Sequence, residues 1–272
     1  MEYHLSATGV AVVASGILVA LAMVAAMRWL LSAEMLRQAH DTTGSLLSIV
    51  GTLYAVLLGL IVVDAMVRFD RAMQEVQQES NCLADIFLLA NRLPDQWRDR
   101  IQDLCRRYAT EVVEGEWPLM ETGKMSVEAR VIALELIRAT NGFEPVTEAQ
   151  KAAFPMLLEQ FRELWNMRRD RANAVQYGIP AVEWVALLVG AVVTIFFAGL
   201  FSVDRAWLQY LLTGLAALVI GLNLYLVSLF GYPFAGELTV SKRPFILDIG
   251  IFEGAFETAP AHSGEALGRP AR

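Results

Sequence analysis

The stretch LIVVDAMVRFDRA, residues 60–72, begins as unbroken hydrocarbon and ends as a charged helix, with Asp64 and Arg68 four residues apart at the changeover. Where that changeover lies in a bilayer decides the fold. The apolar run opens near Gly44, and Asp64 comes 20 residues later. At a rise of about 1.5 Å per residue this is roughly 30 Å, the full hydrocarbon thickness. Asp64 and Arg68 are therefore placed at the headgroup level, as an i,i+4 acid–base pair with Arg68 free to snorkel. From Phe69 the helix continues into water.

Composition agrees with membrane insertion. Of 272 residues, 56% are hydrophobic and 19% charged, and the mean hydropathy is +0.44, beyond the range of an ordinary soluble domain. Four stretches satisfy the length requirement of about 20 mostly apolar residues: Thr8–Leu31, Gly44–Val67, Ile179–Phe201 and Ala206–Phe230. The first follows MEYHLSATG, which has no basic n-region, so it is predicted to be a retained helix and not a cleaved signal. Short links, SAEMLRQAHDTTG and SVDR, join the first pair and the last pair into two hairpins.

Basic residues orient the hairpins. The short links and their edges carry Arg28, Arg37 and Arg205, whereas Arg68, Arg71, Arg162, Arg168, Arg169, Arg171, Lys242 and Arg243 flank the other ends. The positive-inside rule then puts the middle region and both termini in the cytoplasm, where unpaired Cys82 and Cys105 stay reduced. The prediction is an all-α integral membrane protein with four transmembrane helices in two hairpins, 8–67 and 179–230. A cytoplasmic helical bundle, 69–178, is inserted between them, and a cytoplasmic segment, 231–272, follows.

Within the insert, Met73, Val76, Leu83, Phe87 and Ala90, with Ser80 in one gap, form an amphipathic stripe continuous with span two. Pro94 separates it from a second stripe, Trp97, Ile101, Leu104, Cys105, Tyr108 and Val112, which GEWP breaks. A third helix is predicted from a Ser126 cap. A fourth starts near Thr147 and carries Phe154, Leu158, Phe161, Trp165 and Ala172; it has a kink at Pro155 and runs on into span three. After span four, two prolines break the helix, ELTV reads as extended, and ETAPAHSGEALGRPAR reads as disordered.

The chemistry these residues exclude is broad. No Gly-rich phosphate loop, H-E-x-x-H, nucleophile elbow or Cys-x-x-Cys occurs. His4, His40 and His262 lie near element ends or in tails. No enzyme, cofactor or metal centre is expected. A net charge of −7 and an insert holding 18 acidic against 14 basic residues between Asp70 and Arg171 exclude a nucleic-acid surface.

The informative polar residues are in the spans. Span two has a small, weakly polar face made of Gly44, Ser48, Gly51, Thr52, Ala55 and Gly59. It suits either close helix packing or the polar wall of an aqueous path. Span three repeats Ala186, Gly190, Thr194 and Ala198; span four has Gly214, Ala217 and Gly221, plus Asn223, which needs a partner. Glu183 enters span three from the cytoplasmic side. It is expected to pair with Arg68 or the Arg168–Arg171 cluster, while Asp64 retains a second reading as one acid of a ring at an inner mouth.

Several stretches then resemble a known family: RFDRAMQEVQQESNCL with Glu79, LANRLP, Tyr108, and EWPLM with Trp117 and Pro118. RRDRANAVQYGIPAVEW follows with Arg168, Arg171, Pro180 and Trp184, then YPFAGELTV with Pro233, Phe234 and Gly236. In this order, from about Leu46 to Phe245, the chain resembles the bestrophin-like membrane proteins of bacteria. It has Ser80 where that family more often has Ala, and Met66 where a Trp is usual. The resemblance implies a four-span helical protein of the bacterial inner membrane, a homo-oligomer, and an ion channel, with anions by analogy. An acidic inner mouth opposes anion preference. The alternative is a non-conducting scaffold or sensor whose insert binds a protein partner.

Overall fold

The computed structural model describes residues 7–32, 40–140, 142–201 and 205–254. Arg37, the short link SVDR as far as Asp204, and the tail from Ala255 onward lie outside the described residues. The nine α-helices of the described chain are α1 (Ala7–Leu30), α2 (His40–Leu89), α3 (Asp95–Glu111), α4 (Trp117–Met120), α5 (Val127–Thr140), α6 (Glu148–Gln176), α7 (Ala181–Leu200), α8 (Ala206–Phe230) and α9 (Arg243–Phe252). A 3₁₀ turn, Ala90–Arg92, follows α2, and a π-helical turn, Val112–Glu116, joins α3 to α4. No strand forms among the described residues, so ELTV is not extended sheet.

Four of these helices are long and apolar enough to cross a membrane; three match the predicted spans to within a few residues, while the second, Thr43–Arg92, starts as predicted but runs well past Val67. α2 is a single helix of 50 residues, so the amphipathic helix after span two is continuous with it, as expected. Span three is not continuous with the helix before it. α6 ends at Gln176 and α7 starts at Ala181. Pro180 disfavours α-helical geometry at Ile179 and itself takes the N-cap position with extended backbone. Gly178 permits the break, because a Cβ there would enter the Tyr232 ring.

The chain divides into two compact units. The first comprises residues 1–74, 121–123 and 171–240 and holds the four spans. In it α1 lies against α8 along small residues: Ala20 packs with Ala217 and Ile195, and Gly221 leaves room for Val13. The repeat in span four is thus a packing seam. Lipid tails supply no hydrophobic drive between helices, so close approach and interhelical hydrogen bonds hold such contacts. Gln209, 2% exposed, does both: it accepts from Arg28 Nη1 at 2.5 Å and donates Nε2 to the Gly199 carbonyl at 2.7 Å, joining α1, α7 and α8. Asn223 finds its partner within its own helix, the Val219 carbonyl at 2.9 Å.

α2 enters this unit along one edge. Tyr54, Leu58, Ile61 and Ala65 are buried with Leu187 and Val227, and the Tyr54 hydroxyl donates to the Leu187 carbonyl at 3.0 Å. Gly190 gives the Tyr54 ring its place, since a Cβ would collide with Cδ2 and Cε2.

The second unit comprises residues 75–120, 124–170 and 241–272. Its core takes Val76, Leu83 and Phe87 from α2, and Ile101, Leu104, Cys105 and Tyr108 from α3. Met73 departs from the expected stripe: it is 49% exposed while Ala72 is buried. In α6 Phe161 is buried as predicted, but the rest of the buried face lies at Ala153, Leu157 and Leu164, one position before Phe154, Leu158 and Trp165, with Leu158 41% exposed. That face continues into Arg168 and Arg171, so charge hid its true register. Ser126 caps α5, accepting from the Ala129 amide at 3.1 Å, and Thr147 caps α6 through the Gln150 amide at 3.2 Å. Pro244 does not end a helix; it lies in the first turn of α9, where its missing N–H costs nothing.

Substituting Gly190→Leu is expected to expel the Tyr54 ring, at a cost on the order of 1–3 kcal/mol for overpacking, and to lower the thermal midpoint in detergent. Tyr54→Phe, which loses one hydrogen bond, is expected to cost about 0.6 kcal/mol. A thermal melt of each variant followed by size-exclusion chromatography measures both; equal midpoints for Gly190→Leu and the parent would disprove the seam.

Candidate functional site

The small face of span two lies on the open side of α2. Ser48, Thr52, Ala55 and Gly59 are exposed, and Gly51 is half-buried. A Cβ added at Gly51 or Gly59 meets nothing within 4 Å. The edge that packs inside the chain is the neighbouring one, through Tyr54, Leu58, Ile61 and Ala65. Gly44 packs on Phe201 of the same chain, where a Cβ would meet the ring at 3.1 Å, but Gly51 and Gly59 receive no neighbour within one copy.

Asp64 and Arg68 form the expected pair: Arg68 Nε donates to Asp64 Oδ2 at 2.6 Å, with side chains 41% and 48% exposed for the Arg and Asp respectively. They do not continue the small face. Asp64 is five residues beyond Gly59, about 140° around a helix, so the pair sits on another flank. Met66 and Asp70, both exposed, are the residues that extend the line of Ser48, Thr52, Ala55 and Gly59. Glu183, half-buried in the first turn of α7, makes no ion pair among the described residues; Arg68 is taken by Asp64 and Arg168 by Glu116.

The second unit gathers several of the other singled-out residues into one buried polar network. Arg168 of α6 is 4% exposed and Glu116 of the π-turn 0%. Arg168 Nη2 donates to Glu116 Oε2 at 2.6 Å and Nη1 to Glu116 Oε1 at 2.9 Å, a two-point fork. Nη1 also reaches the Tyr108 hydroxyl at 3.0 Å, and Nη2 the Ser126 carbonyl at 3.3 Å. The Tyr108 hydroxyl in turn donates to Glu79 Oε1 of α2 at 2.5 Å. Glu116 Oε2 accepts the Ser126 amide at 3.0 Å, while the Ser126 hydroxyl donates to Glu111 at 2.6 Å.

The π-turn makes this possible. One extra residue per turn rotates Glu116 inward, and Lys242 Nζ donates to the Val113 carbonyl of that turn at 3.2 Å. Phe245 of α9 covers the network, edge-on to Tyr108 at 6.5 Å and to Trp117 at 6.4 Å between ring centroids. Pro118, next to Trp117, is exposed. The remaining motif residues lie in the first unit. Arg171 is fully buried, Trp184 Nε1 donates to the Tyr232 hydroxyl at 3.3 Å, Pro180 caps α7, and the Pro233 carbonyl accepts from the Val240 amide at 2.8 Å beside buried Phe234. Gly236 has φ +97°, a turn conformation that side-chain-bearing residues rarely adopt.

Hydropathy could not identify Glu116, because an acid after Gly115 reads as surface. The usable signal was the Glu-Trp-Pro run following an amphipathic helix. The cysteines are buried, and desolvation, with the nearby acids Glu163 and Asp85, raises the Cys82 thiol to about 11. Cys105 is raised further by burial. Neither is a usable reactive thiol. No cluster of His, Cys, Asp and Glu suited to a metal exists among the described residues. Between α1, α7 and α8 there is a cavity of about 310 Å³ whose lining, Val12, Gly16, Leu188 and Ile220 among others, is apolar apart from Ser15.

Arg168→Ala strands a buried carboxylate, so a loss of about 3–5 kcal/mol is expected. Lys at 168 should restore little, since it lacks the fork. The pair Arg168→Met with Glu116→Leu should recover most of the stability, and denaturation of all four proteins checks this; a double variant as weak as Arg168→Ala would refute it.

No protein of curated function matches the sequence. Among solved structures, the fold is similar to that of a bacterial bestrophin homologue from Klebsiella pneumoniae in a point-mutant form, with a TM-score of 0.65 and 11% identity over 89% of this chain and 99% of that one. Another crystal structure of the Klebsiella pneumoniae homologue matches at 0.62 and 12% identity, covering 88% and 97%. A third, described as a membrane protein, matches at 0.65 and 12% identity, covering 89% and 98%. The model of the Bestrophin-like domain matches residues 12–245, which take in both the α2 stripe and the whole Glu79–Tyr108–Glu116–Arg168 network. The chain belongs to the Bestrophin-like domain family.

Proposed function

We propose that the chain is a homo-oligomeric channel of the bacterial inner membrane in which the small face of α2 lines the ion path. The observation that carries this reading is that Ser48, Thr52, Ala55 and Gly59 are exposed although α2 packs well along its adjacent edge. A weakly polar strip left open on a membrane-spanning helix suits water or a neighbouring copy better than hydrocarbon. Membership of a family related to bestrophins, which are oligomeric ion channels, supports it. In this reading the spans form two hairpins, and the region 69–178 and both termini are cytoplasmic, in keeping with the distribution of Arg and Lys.

The ion is proposed from charge. From Ser48 to Asp70 the face carries no basic residue, and it ends at Asp70. That favours cations, although the family name implies anions. Asp64 and Arg68, on a different flank, are proposed as a headgroup-level anchor of modest worth.

Cysteines at 48, 52, 55 and 59 should be modified by small charged thiol reagents with matching changes in current in planar bilayers, while cysteines at 50, 57 and 61 stay silent. Reversal potentials under a salt gradient should report cation preference. An oligomer that is electrically silent and unreactive along the whole face would leave the scaffold reading in place. Orientation is tested separately: with the buried native thiols left in place, Val146→Cys, at a site 79% exposed, should label only in inverted vesicles. Trp207→Cys, at a site 60% exposed, should label in intact cells.

A further inference from the structure

The short helix α9 is held to the second unit by three anchors of different chemistry. Phe245 sits fully buried against Tyr108 and Trp117. Phe252 stacks on Phe87 with ring centroids 4.3 Å apart, and its carbonyl accepts from Arg106 Nε at 3.1 Å. Between them Asp248, 5% exposed, accepts from the Ser80 hydroxyl at 2.5 Å. A carboxyl at the centre of a docking face is a costly choice where an apolar residue would fit.

We propose that α9 is an acid-tightened clasp over the Tyr108–Arg168–Glu116 network, with Asp248 as its proton-binding group and Ser80 as the residue that tunes it. The charged and titratable surroundings leave that role to Asp248. From α3, Cys105 faces it and Arg106 is engaged with the Phe252 carbonyl. From α2, Glu79 next to Ser80 accepts from Tyr108. Lys242, just before α9, reaches the Val113 carbonyl of the π-turn. Arg243 and Glu253 lie at the ends of α9, and Asp248 has no ion-pair partner among the described residues.

Burial moves the Asp248 carboxyl up from 3.8 to about 6, opposed by the Ser80 hydrogen bond. The docked state thus binds the proton more tightly than the undocked one. The sign follows: this contribution to docking is fully present below the undocked value and is lost as pH rises from about 4 through about 6. Neither state breaks the Ser80 contact, because a hydroxyl serves a carboxylate as donor and a carboxylic acid as acceptor. This inference is independent of whether the chain conducts ions.

Hydrogen exchange of the full chain in detergent, at pH 5.0 and 7.5 and corrected for intrinsic rates, reads the clasp directly in peptides spanning 243–254. The two values above predict about tenfold greater protection at pH 5.0. Asp248→Asn should be protected and insensitive to pH. Ser80→Ala should weaken protection at pH 7.5 and move the midpoint above 6. Equal protection of the parent at both pH values, or an unchanged pH response in Asp248→Asn, overturns the proposal; an unshifted midpoint in Ser80→Ala removes Ser80 from it.

Discussion

Arg168 is a cation in the middle of a helical core, and the second unit is arranged around the need to satisfy it. A guanidinium cannot escape by losing its proton, so every donor that faces inward requires an acceptor. Glu116 takes two, Tyr108 and the Ser126 carbonyl take one each. These acceptors come from the π-turn, α3 and the start of α5. The register of α6, the extra residue in the π-turn and the cap of α5 are therefore fixed together by one side chain. A buried ion pair of this kind contributes little net stability against an apolar replacement, yet losing one partner is severe. It specifies geometry more than it adds stability.

That distinction bears on why a membrane protein would keep it. The hydroxyl of Tyr108 is shared between a cation on one side and the Glu79 carboxylate of α2 on the other. Glu79 belongs to the same unbroken helix whose earlier turns carry Ser48, Thr52, Ala55 and Gly59. No proline or glycine occurs between Leu60 and Leu89. Displacement of Glu79 would break the bond it accepts from Tyr108. A polar network with one satisfied arrangement resists such displacement, because any partial break leaves a charge without a partner in a low-dielectric core.

Much of this was legible in the residues, and the parts that were not have a common cause. The spans follow from length and hydropathy, and the Ser126 and Thr147 caps from side-chain chemistry that acts within three residues. The i,i+4 pairing of Asp64 and Arg68 is equally local. What escaped depends on partners distant in sequence. The inward register of α6 was hidden because its last two interior positions are Arg168 and Arg171, which any hydropathy count assigns to solvent. Glu116 was hidden for the same reason. The break at Gly178–Pro180 was readable from Pro180, which disfavours helical geometry at Ile179. α9 escaped because Lys-Arg-Pro reads as a stop, although a proline in the first turn of a helix is a start.

The membrane part raises the opposite problem, an excess of plausible seams. Small residues recur in spans two, three and four, and sequence gives each the same appearance. Structure separates them by occupancy. In α8 the small positions receive Val13, Ala20 and Leu21 of α1. In α7, Gly190 receives the ring of Tyr54. In α2, Gly51 and Gly59 receive nothing from the same chain. A small residue that admits a neighbour is explained by that neighbour. One that admits none, on a helix already anchored by Tyr54, Leu58, Ile61 and Ala65, still needs a reason, because leucine there would be better suited to lipid. In the proposed channel that reason comes from outside the single chain, as a second copy, water, or both around an axis. Ser48 and Thr52 weigh toward water. The Thr52 hydroxyl already donates to the Ser48 carbonyl at 2.7 Å, so its oxygen keeps acceptor capacity on the open side, which a hydrated cation can use and a lipid chain cannot.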